Sequence, residues 1–419
     1  MQYQEKPSSS PEPSPVLKGK KAAIVVFSFF PSDPRPARAA FALAEAGMKV
    51  DYFCLARPGQ ALSETVSGVN VTRFKLDKKR GNKLYYIFQY LVFLIASFFF
   101  VSKRSGYDLV HVHNMPDFLV FSAFLAKLRG ARVVLDLHDP SPEVFITKFG
   151  PKSPLVRLLY FFEKLSIGFS DLVLTPNKAF ERLFLARNKN RRVAVIMNAP
   201  SEKIFPLRSP IVRKESAERP FVLMYHGTLV ERHGLHLALE AFDSLEASIP
   251  NLRFHLYGAE TEYLTEEILP LIKRLGLEKR VLYFGEKSLD EIALAIAGSD
   301  LGIIPNLKTV FTEINFPTRI FEYLALGKPV VVPSTEGIRD YFDEGNMFFF
   351  EAGYSESLAD RIKEIYRSPE ETYYQVVRGQ EVYARSVWTG EKARFIREIS
   401  ALLTPPPYDI KEFVPSTPK

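Results

Sequence analysis

Short apolar runs alternate with longer segments of mixed polarity along most of this chain, and this alternation limits the folds open to it. Nearly continuous runs of β-branched and aromatic residues are typical of strands that are buried on both faces. Their alternation with helical segments favours parallel α/β sheets. The predicted strands cover residues 22–28, 50–55, 69–74, 108–113, 132–138, 171–175, 193–197, 221–227, 252–258, 281–285, 300–305, 329–333 and 347–351.

The alternation begins again after a linker at 206–218 that is rich in Pro, Arg, Ser and Glu. A chain of 419 residues exceeds the usual size of one domain. The predicted fold is therefore α/β, with two doubly wound Rossmann-like domains and an interdomain cleft for a ligand. The predicted parts are a disordered tail at 1–17, an N-terminal domain at 18–205, a C-terminal domain at 206–389, a segment at about 390–405 that packs back on the first domain, and a flexible tail at 406–419.

Composition and missing motifs exclude several functional classes. A single cysteine, Cys54, rules out an intrachain disulfide and a multi-cysteine zinc site. The chain has neither Gly-x-Gly-x-x-Gly nor Gly-x4-Gly-Lys-Ser/Thr, which argues against common dinucleotide oxidoreductases and P-loop hydrolases. The start of the chain has no apolar signal-peptide stretch, so we expect a cytoplasmic protein.

Charge is distributed unevenly along the chain. Residues 1–210 hold 31 basic and 16 acidic side chains, a balance of +15, and the remainder holds 24 and 32, a balance of −8. This asymmetry indicates that the first half faces an anionic partner. We do not expect that partner to be nucleic acid, because zinc-finger spacing and aromatic RNA-binding motifs are both missing from the sequence.

Residues 84–101 form the most apolar segment, interrupted only by Gln89 and Ser97. A helix of this length spans ~27 Å, close to the ~30 Å hydrocarbon core of a bilayer. A membrane-spanning segment here would separate strands that must pair in one sheet, so we expect interfacial docking on a membrane surface, with plain burial as the alternative. The flanking basic residues could each add ~1 kcal/mol at an anionic leaflet. They are Lys78, Lys79, Arg80, Lys83, Lys103 and Arg104.

Two constellations in the second half carry the chemistry. In the first, Gly227 ends a predicted strand, and Arg232 precedes a helical segment where it can bind a diphosphate in bidentate fashion. In the second, Pro317 suits the first turn of a short helix that Gly327 closes. Glu322 lies inside that helix, where its carboxylate can accept hydrogen bonds from a ribose diol.

At these motifs the chain resembles the retaining glycosyltransferases of the GT-B fold, family 4. The resemblance covers most of residues 20–390 in the family's order. It implies a nucleotide-diphosphate sugar in the cleft, with the nucleotide on the C-terminal domain. The matching pieces are SDPRPARAAFALAEAGMKV, YDLVHVHNMPDFLVF, GARVVLDLHDPSPE, SDLVLTPN, HGTLVERHGLHLALEAF, LRFHLYG, VLYFG, DLGIIP and PTRIFEYLALGKPVVVP.

The resemblance also implies roles for individual residues. Glu322 aligns with the glutamate that binds ribose, Arg232 with the cation that neutralises the departing diphosphate, and His138 with the histidine that contacts the transferred sugar. The other donor-binding candidates are Gly227, Thr228, Gly258, Phe284, Asn315, Phe316, Pro317, Thr318 and Arg319. The acceptor-binding candidates on the first domain are Asp33, Arg35, Arg38, His113 and Asn114.

Two departures from the family pattern concern the site. The family places a glutamate eight residues before the ribose glutamate, but Ile314 stands there. Three alternatives remain open: Glu313, the catalytic candidate, substitutes for that glutamate, backbone amides suffice, or the activity is altered. The family usually has basic residues where this chain has Thr228 and His233, so the diphosphate should depend more heavily on Arg232.

The predicted activity is transfer of a hexose-type sugar from a UDP- or GDP-sugar to a glycan or lipid-linked acceptor, with retention of configuration. No Asp-x-Asp metal motif stands near these loops, so we expect no cofactor and no metal requirement. The apolar helix and the basic half place the reaction at the inner face of a membrane, in cell-surface polysaccharide or glycolipid synthesis. A nucleotide-sugar 2-epimerase and a non-catalytic glycan-binding or membrane scaffold remain open as alternatives.

Overall fold

The first half folds around an eight-stranded sheet. The computed structural model describes residues 15–76, 83–104, 106–213 and 219–404. Along the sheet the strands lie in the order β3-β4-β2-β1-β5-β6-β7-β8, and all are parallel except β3, which pairs antiparallel with β4. They are β1 (Lys21–Phe29), β2 (Lys49–Leu55), β3 (Ser63–Val66), β4 (Val69–Phe74), β5 (Leu109–His113), β6 (Arg132–Asp136), β7 (Leu172–Thr175) and β8 (Val193–Val195).

The second half contains a six-stranded parallel sheet in the order β11-β10-β9-β12-β13-β14. All thirteen predicted strands are present. The unpredicted β3 is at the edge of the first sheet and lacks an apolar signal, because three of its four residues are exposed and only Val66 packs against the core. The second-sheet strands are β9 (Phe221–His226), β10 (Leu252–Tyr257), β11 (Val281–Tyr283), β12 (Leu301–Ile303), β13 (Val330–Pro333) and β14 (Phe348–Phe350).

Helices cover both faces of the sheets, as expected for a doubly wound fold. One face of the first sheet packs on α1 and α14, and the other packs on α2, a 3-10 helix at Asp117–Ala123, α3, α5 and α6. The helices are α1 (Pro34–Glu45), α2 (Lys83–Lys103), α3 (Phe124–Leu128), α4 (Ser141–Phe149), α5 (Pro154–Phe169), α6 (Lys178–Arg187), α7 (Leu235–Leu245), α8 (Leu269–Arg274), α9 (Leu289–Gly298), α10 (Arg319–Ala325), α11 (Glu336–Arg339), α12 (Ser355–Arg367), α13 (Pro369–Ala384) and α14 (Trp388–Leu403).

The C-terminal helix α14 returns to the first domain. Phe395 and Ile399 are buried in the core on the α1 side of the first sheet, and Glu391 accepts a 2.7 Å hydrogen bond from the Met197 amide. Leu17 is fully buried in the same core, so the predicted tail at 1–17 extends too far at its end, since an apolar side chain there reaches the sheet. The rest of both predicted tails, 1–14 and 405–419, lies outside the described residues.

The two domains also meet through the loop that follows β12. Phe311 belongs to the core of the first domain, with its ring centroid 6.3 Å from that of Phe180. Ile314 packs against the same core. Beside this apolar contact, Arg182 on α6 binds Asp340 at 2.8 Å. The position at which the family pattern has a glutamate is therefore used here for contact between the domains.

Helix α2 lies on the first sheet and packs on it through Phe93 and Val101. Strand β1 pairs with β2, which precedes α2 in the chain, and with β5, which follows it. The strands before and after α2 thus belong to one sheet, as the topological argument predicted. Among the described residues, no helix combines the length and the apolar character needed to cross a membrane. The basic residues Lys78, Lys79 and Arg80 lie outside the described residues.

Replacing Phe395 by alanine should destabilise the first domain, because the substitution leaves a cavity where α14 packs on the core. Loss of a buried phenylalanine side chain typically costs about 3–5 kcal/mol of unfolding free energy. Denaturant unfolding, followed by a probe in the first domain, should show this loss. The control Tyr374→Ala removes an aromatic ring on α13 that is 61% exposed and should shift the curve by less than about 0.5 kcal/mol. Equal effects of both variants would contradict the packing role of α14.

Candidate functional site

The candidate residues gather where the carboxyl ends of parallel strands meet. In the first sheet the chain order reverses between β1 and β5, and in the second between β9 and β12. Ligands in open α/β sheets bind at such switch points, outside the carboxyl ends of the strands. The loops after β1, β5 and β6 face the loops after β9 and β12 across the cleft. Two electrostatic interactions span it. In each, an arginine opposes the rise in pKa that burial causes at a carboxyl of the other domain: Arg232 at Asp139, and Arg38 at Glu322.

A buried charge cluster supports the first-domain side of the cleft. Arg35 donates to both carboxylate oxygens of Asp136, at 2.8–3.2 Å, and to the Ile196 carbonyl at 2.8 Å. His113 Nδ1 lies 3.5 Å from Asp136 and 2.9 Å from His138 Nε2. This arrangement forms a chain from Arg35 through Asp136 and His113 to His138. Arg35 was predicted to bind the acceptor, but only 8% of it is exposed and its donors are used within the chain.

The histidines of this cluster are neutral. Burial, followed by the neighbouring His111, lowers the pKa of His113 well below its usual value. Burial also lowers the pKa of His138, although Asp136 opposes that shift. Burial disfavours the charge on Asp136, but Arg35 and the neighbouring histidines together outweigh it and hold the pKa of that carboxyl well below its usual range. The net result is one buried ion pair flanked by uncharged imidazoles that can position one another by hydrogen bonds.

Asn114 fixes the loop that carries His138 and Asp139. Its side-chain oxygen accepts a hydrogen bond from the His138 amide at 2.8 Å, and its nitrogen donates to the Asp139 carbonyl at 2.8 Å and to Asp117 at 3.1 Å. Ser141 donates to the same Asp117 oxygen. Asn114 was predicted to bind the acceptor; the structure shows its side chain committed to this loop, where it sets the position of His138.

Asp33 and Arg38 stand at the start of α1, at the same edge. Asp33 is half-buried at the N-terminus of the helix and acts electrostatically on His138 and Arg38. Arg38 donates to the carbonyls of Pro34 and Ala199, and to the Asn198 side chain at 2.6 Å. Burial and then Arg35 lower the pKa of Arg38 to about 10, which leaves it charged at neutral pH. Its charge therefore faces Glu322 on the other domain.

On the second domain, Gly227 brings the loop after β9 against Arg319. Its φ of +127° disfavours any other residue, and a Cβ there would lie 2.7 Å from Arg319 Nη1. The Arg319 guanidinium donates to the His226 carbonyl and stacks 4.7 Å above the Tyr225 ring. Gly258, at the end of β10, meets the Gly227 carbonyl directly. The missing side chain at Gly227 thus leaves room for Arg319, and the one at Gly258 leaves room for the Gly227 backbone.

Glu322 on α10 is a buried carboxylate with unused hydrogen-bonding capacity. Its side chain is 12% exposed, and its Oε2 lies 3.3 Å from His226 Nε2, yet neither atom makes a hydrogen bond within the described chain. Burial raises the pKa of Glu322 to about 7, against the opposite effects of Arg319 and Arg38. Burial and Arg319 lower the pKa of His226 well below its usual value. A neutral donor facing this pair would satisfy the carboxylate.

Arg232 and His233 have different environments, although they are neighbours. The Arg232 guanidinium lies over the Phe311 ring at 5.7 Å, and its buried Nε makes no hydrogen bond within the described chain. His233 instead donates through Nδ1 to the Thr228 carbonyl at 2.7 Å. Burial, followed by Arg319, lowers the pKa of His233 to about 3, so this imidazole is neutral. Arg232 is therefore the cation of this loop, and Thr228 is an exposed part of it.

The loop between β12 and α10 divides its residues between the cleft and the core. Glu313 is held by its neighbours, since its Oε1 accepts from the Glu336 amide at 3.4 Å and its Oε2 lies 3.4 Å from Lys308 Nζ. Phe316 was predicted to bind the donor, but it is buried in the core of the second domain and stacks on Phe342. The remaining candidates of this loop are the half-buried Asn315 and Thr318 and the buried Pro317.

An aromatic pair stands where β10 and β11 end, and it includes the donor-binding candidate Phe284. Phe284 is 41% exposed and stacks on Tyr257 with centroids 4.9 Å apart. Tyr283 donates to the Gly258 carbonyl at 2.8 Å, which links this edge to the glycine loop. The exposed Phe284 ring, supported by the buried Tyr257, offers a surface on which a planar group can lie.

Sequence reasoning missed three residues of this site, namely His111, Asp136 and His226. Each stands within or at the end of an apolar strand, and a polar residue in such a run was the available signal. His111, His113 and Asp136 come close enough to suggest a metal site, but Arg35 already supplies a positive charge to that carboxylate. A cavity of about 730 Å³ lies elsewhere, at the amino edge of the second sheet, where Phe221, Asp300 and Pro329 are among its lining residues.

Replacing Gly227 by alanine should disturb both the loop and Arg319. The positive φ alone should cost about 1–3 kcal/mol of unfolding free energy, and the displaced guanidinium adds to this. The control Gly298→Ala lies at the end of α9, where a Cβ meets nothing within 4 Å, and should be neutral or slightly stabilising. Thermal unfolding of both variants measures the difference. A Gly227→Ala protein as stable as the control would contradict this geometry.

Comparison with known proteins agrees with this arrangement. The family described as glycosyl transferases group 1 matches residues 210–380, and a glycosyl transferase 4-like domain matches residues 34–199. N-acetyl-alpha-D-glucosaminyl L-malate synthase of Bacillus anthracis is 24% identical over 335 residues, which are 75% of this chain and 82% of that protein.

Two solved structures show the same fold. Sucrose-phosphate synthase of Thermosynechococcus elongatus has a TM-score of 0.74 at 18% identity, with 91% of this chain and 99% of that chain covered. Anabaena HepE, solved in complex with UDP and glucose, has a TM-score of 0.69 at 19% identity, with 91% and 100% covered. The predicted fold class is confirmed, and this chain belongs to the group 1, family 4 glycosyltransferases of the GT-B fold.

Proposed function

We propose that this protein transfers a hexose-type sugar from a UDP- or GDP-sugar to a glycan or lipid-linked acceptor, with retention of anomeric configuration. One observation carries the proposal: Glu322 Oε2 and Arg232 Nε are both buried and lack hydrogen bonds within the described chain. A buried carboxylate oxygen and a buried arginine Nε that both lack hydrogen bonds, at the carboxyl edge of the second sheet, favour a ligand that carries complementary groups. A nucleoside diphosphate sugar supplies a hydroxyl donor for the first and a diphosphate for the second.

In this proposal each end of the donor has its own partner. Glu322 accepts hydrogen bonds from the ribose diol, and Arg319, which lies on the same helix, adds positive charge beside it. The exposed face of the Tyr257–Phe284 pair receives the base. The diphosphate lies between Arg232 and Arg319. That HepE was solved in complex with UDP and glucose supports a nucleotide donor of this class.

The proposed chemistry breaks the bond between the anomeric carbon and the diphosphate oxygen, and forms a bond from that carbon to an acceptor oxygen on the same face. The acceptor proton passes to the departing diphosphate. Arg232 stabilises the negative charge that develops there, and a preorganised donor of this kind is commonly worth ~3–4 kcal/mol. The neutral His138, positioned by Asn114 and His113, contacts the transferred sugar. Glu313 remains the candidate for its hydroxyls.

We propose that the reaction needs no metal and takes place at a membrane surface, in cell-surface polysaccharide or glycolipid synthesis. Arg232 and Arg319 supply the positive charge that a metal would otherwise bring to the diphosphate.

The acceptor enters from the first domain, past Asp33 and Arg38. The apolar helix α2 of that domain supports a lipid-linked acceptor.

Substitution of the two unsatisfied residues should affect different kinetic constants. Arg232→Ala should lower kcat by tens-fold or more, because its charge acts on the developing diphosphate. Glu322→Ala should mainly raise KM for the donor, because ribose is bound equally in the ground and transition states. Steady-state kinetics with a panel of UDP- and GDP-sugars and acceptors measure both.

The control is Arg253→Ala on β10, whose half-buried side chain donates to the Lys279 carbonyl at 3.1 Å. It should leave both constants unchanged. The assay is run in EDTA, and activity restored only by Mn²⁺ or Mg²⁺ would contradict metal independence. Unchanged kinetics of both site variants, or release of an epimerised sugar without acceptor, would contradict the proposed function.

Donor binding should weaken below neutral pH because of Glu322. Its pKa of about 7 lies above the usual 4.5, and ribose hydroxyls bind the ionised form. Calorimetric affinity for a UDP-sugar, whose diphosphate stays ionised, should therefore fall by up to about tenfold per pH unit below pH 7. Glu322→Gln should bind more weakly with a flat profile. A profile with the same slope in both proteins would contradict this assignment.

The same pKa shift has the opposite effect on the ligand-free protein. Because the folded state disfavours the ionised carboxyl, the stability contributed by protonated Glu322 is fully present below about pH 4.5 and is lost as pH rises through about 7. Added donor should reverse this trend in thermal unfolding measurements.

A further inference from the structure

Helix α2 is oriented with its polar residues inward. Gln89 is 1% exposed and Ser97 is fully buried, although they are the only polar residues within the apolar segment. The opposite side exposes a stripe of large apolar side chains at helical spacing. The stripe consists of Phe88, Leu91, Ile95 and Phe99, which are between 46% and 64% exposed. A helix that folds only to cover the sheet would bury this stripe instead.

Helix α5, on a neighbouring part of the surface, is inverted in the same sense, with polar residues buried and apolar residues exposed. Glu163 and Ser166 face inward, where Glu163 pairs with Arg187 at 3.1 Å. The outward side exposes Leu158, Phe161 and Leu165, each more than 40% exposed. Two helices separated by 50 residues of chain thus leave apolar stripes in solvent while they bury polar groups.

The two stripes belong to one continuous surface. The 3-10 helix Asp117–Ala123 lies between α2 and α5, where Phe118 contacts Tyr90 at 6.3 Å and Phe162 at 5.4 Å between ring centroids. Helix α3 adds Phe124 and Leu128, which are 47% and 70% exposed. We call the exposed apolar residues of α2, α3 and α5 the apolar face. Its extent exceeds the scattered apolar residues that ordinary surfaces carry.

The helices of the apolar face bury their own acidic residues and expose basic ones, and the half-buried Asp171 that follows α5 is paired with Lys127 at 2.8 Å. The acidic residues of α2, the 3-10 helix, α3, α4 and α5 are Asp117, Glu143 and Glu163, and each is at most 4% exposed. The exposed basic residues of these helices make no ion pair within the described chain. They are Lys103, Lys148, Arg157 and Lys164. Burial of every acid and exposure of these bases gives a surface that is apolar and cationic together.

We propose that the apolar face, with Arg157 and Lys164 on α5, docks on an anionic lipid surface. Apolar side chains enter the boundary between headgroups and acyl chains, and the basic residues contact the headgroups. A second copy of this chain fits less well, because a two-fold contact would bring identical cationic surfaces together. Docking therefore involves two inverted helices, of which α5 was not expected from the sequence.

This orientation brings the cleft to the membrane. The 3-10 helix that lies between α2 and α5 begins three residues after Asn114, which holds the His138 loop. The first-domain side of the cleft thus adjoins the lipid surface. Given the proposed function, on which this consequence rests, a lipid-linked acceptor would present its polar end to His138 while its chain stays in the bilayer.

Vesicle sedimentation with the full-length protein tests the proposal. We expect binding to vesicles in which one third of the lipid is phosphatidylglycerol, weak binding to pure phosphatidylcholine, and a decrease with added salt. Arg157→Gln with Lys164→Gln should lower the partition coefficient about 30-fold, which corresponds to about 1 kcal/mol for each charge. Phe161→Ser should lower it through the loss of apolar contact.

The matched control is Lys273→Gln with Arg274→Gln, which removes two exposed charges from α8 on the second domain. It should sediment like the wild type. Absence of binding to the anionic vesicles at low salt, or equal losses in the control and the α5 variant, would overturn the proposal. So would dimerisation in light scattering that Phe161→Ser abolishes, because the apolar face would then bind a second copy.

Thermal shift with UDP and GDP on the same preparations separates this inference from the proposed function. Variants that retain the wild-type unfolding temperature and nucleotide response, but lose vesicle binding, support a docking role for α5. A wild-type protein that binds nucleotide but not anionic vesicles would overturn the docking proposal and leave the glycosyltransferase proposal standing.

Discussion

Parallel pairing of strands brings the carboxyl ends of β1, β5 and β6 to one edge of the first sheet, and those of β9 and β12 to one edge of the second. The interdomain contacts, which include the packing of Phe311 on Phe180, hold these two edges against each other. The polar groups of the candidate site stand on these strands, on the loops that leave them, or on the helices α1 and α10 that follow. The geometry of the site therefore follows from strand direction and from the packing between the domains.

Charge in the cleft is divided between groups that the protein satisfies and groups that it leaves free. Arg35 and Asp136 neutralise each other in the interior, and the imidazoles of His113 and His233 are neutral because burial disfavours their charge. Arg232, in contrast, has a buried Nε without a hydrogen bond within the described chain. A site that combines a buried ion pair with such an arginine can stay folded without ligand and still offer a cation to an anion.

The inverted helices α2 and α5 show why composition alone could not place the surface of the first domain. Residues 84–101 predict an apolar helix, but the sequence does not show which side of it faces the sheet. In the structure Phe93 and Val101 pack on the sheet, and Gln89 and Ser97, which lie on the same side, are buried with them. In α5 the buried Glu163 is tolerated only because Arg187 on α6 reaches it. Such partners are distant in sequence, and only the tertiary structure brings them together.

The sequence by itself determined thirteen of the strands, the two-domain α/β fold and the loops that carry Gly227, Arg232 and Glu322, because strand periodicity and local motifs are properties of neighbouring residues. Only the tertiary structure decided that Arg35 pairs with Asp136, that Phe316 lies in a core, that Ile314 joins the domains, and that His226 faces Glu322. These outcomes depend on which side chains meet across strands and domains. Burial and pairing at such meetings set the charge of each group, and no local pattern contains that information.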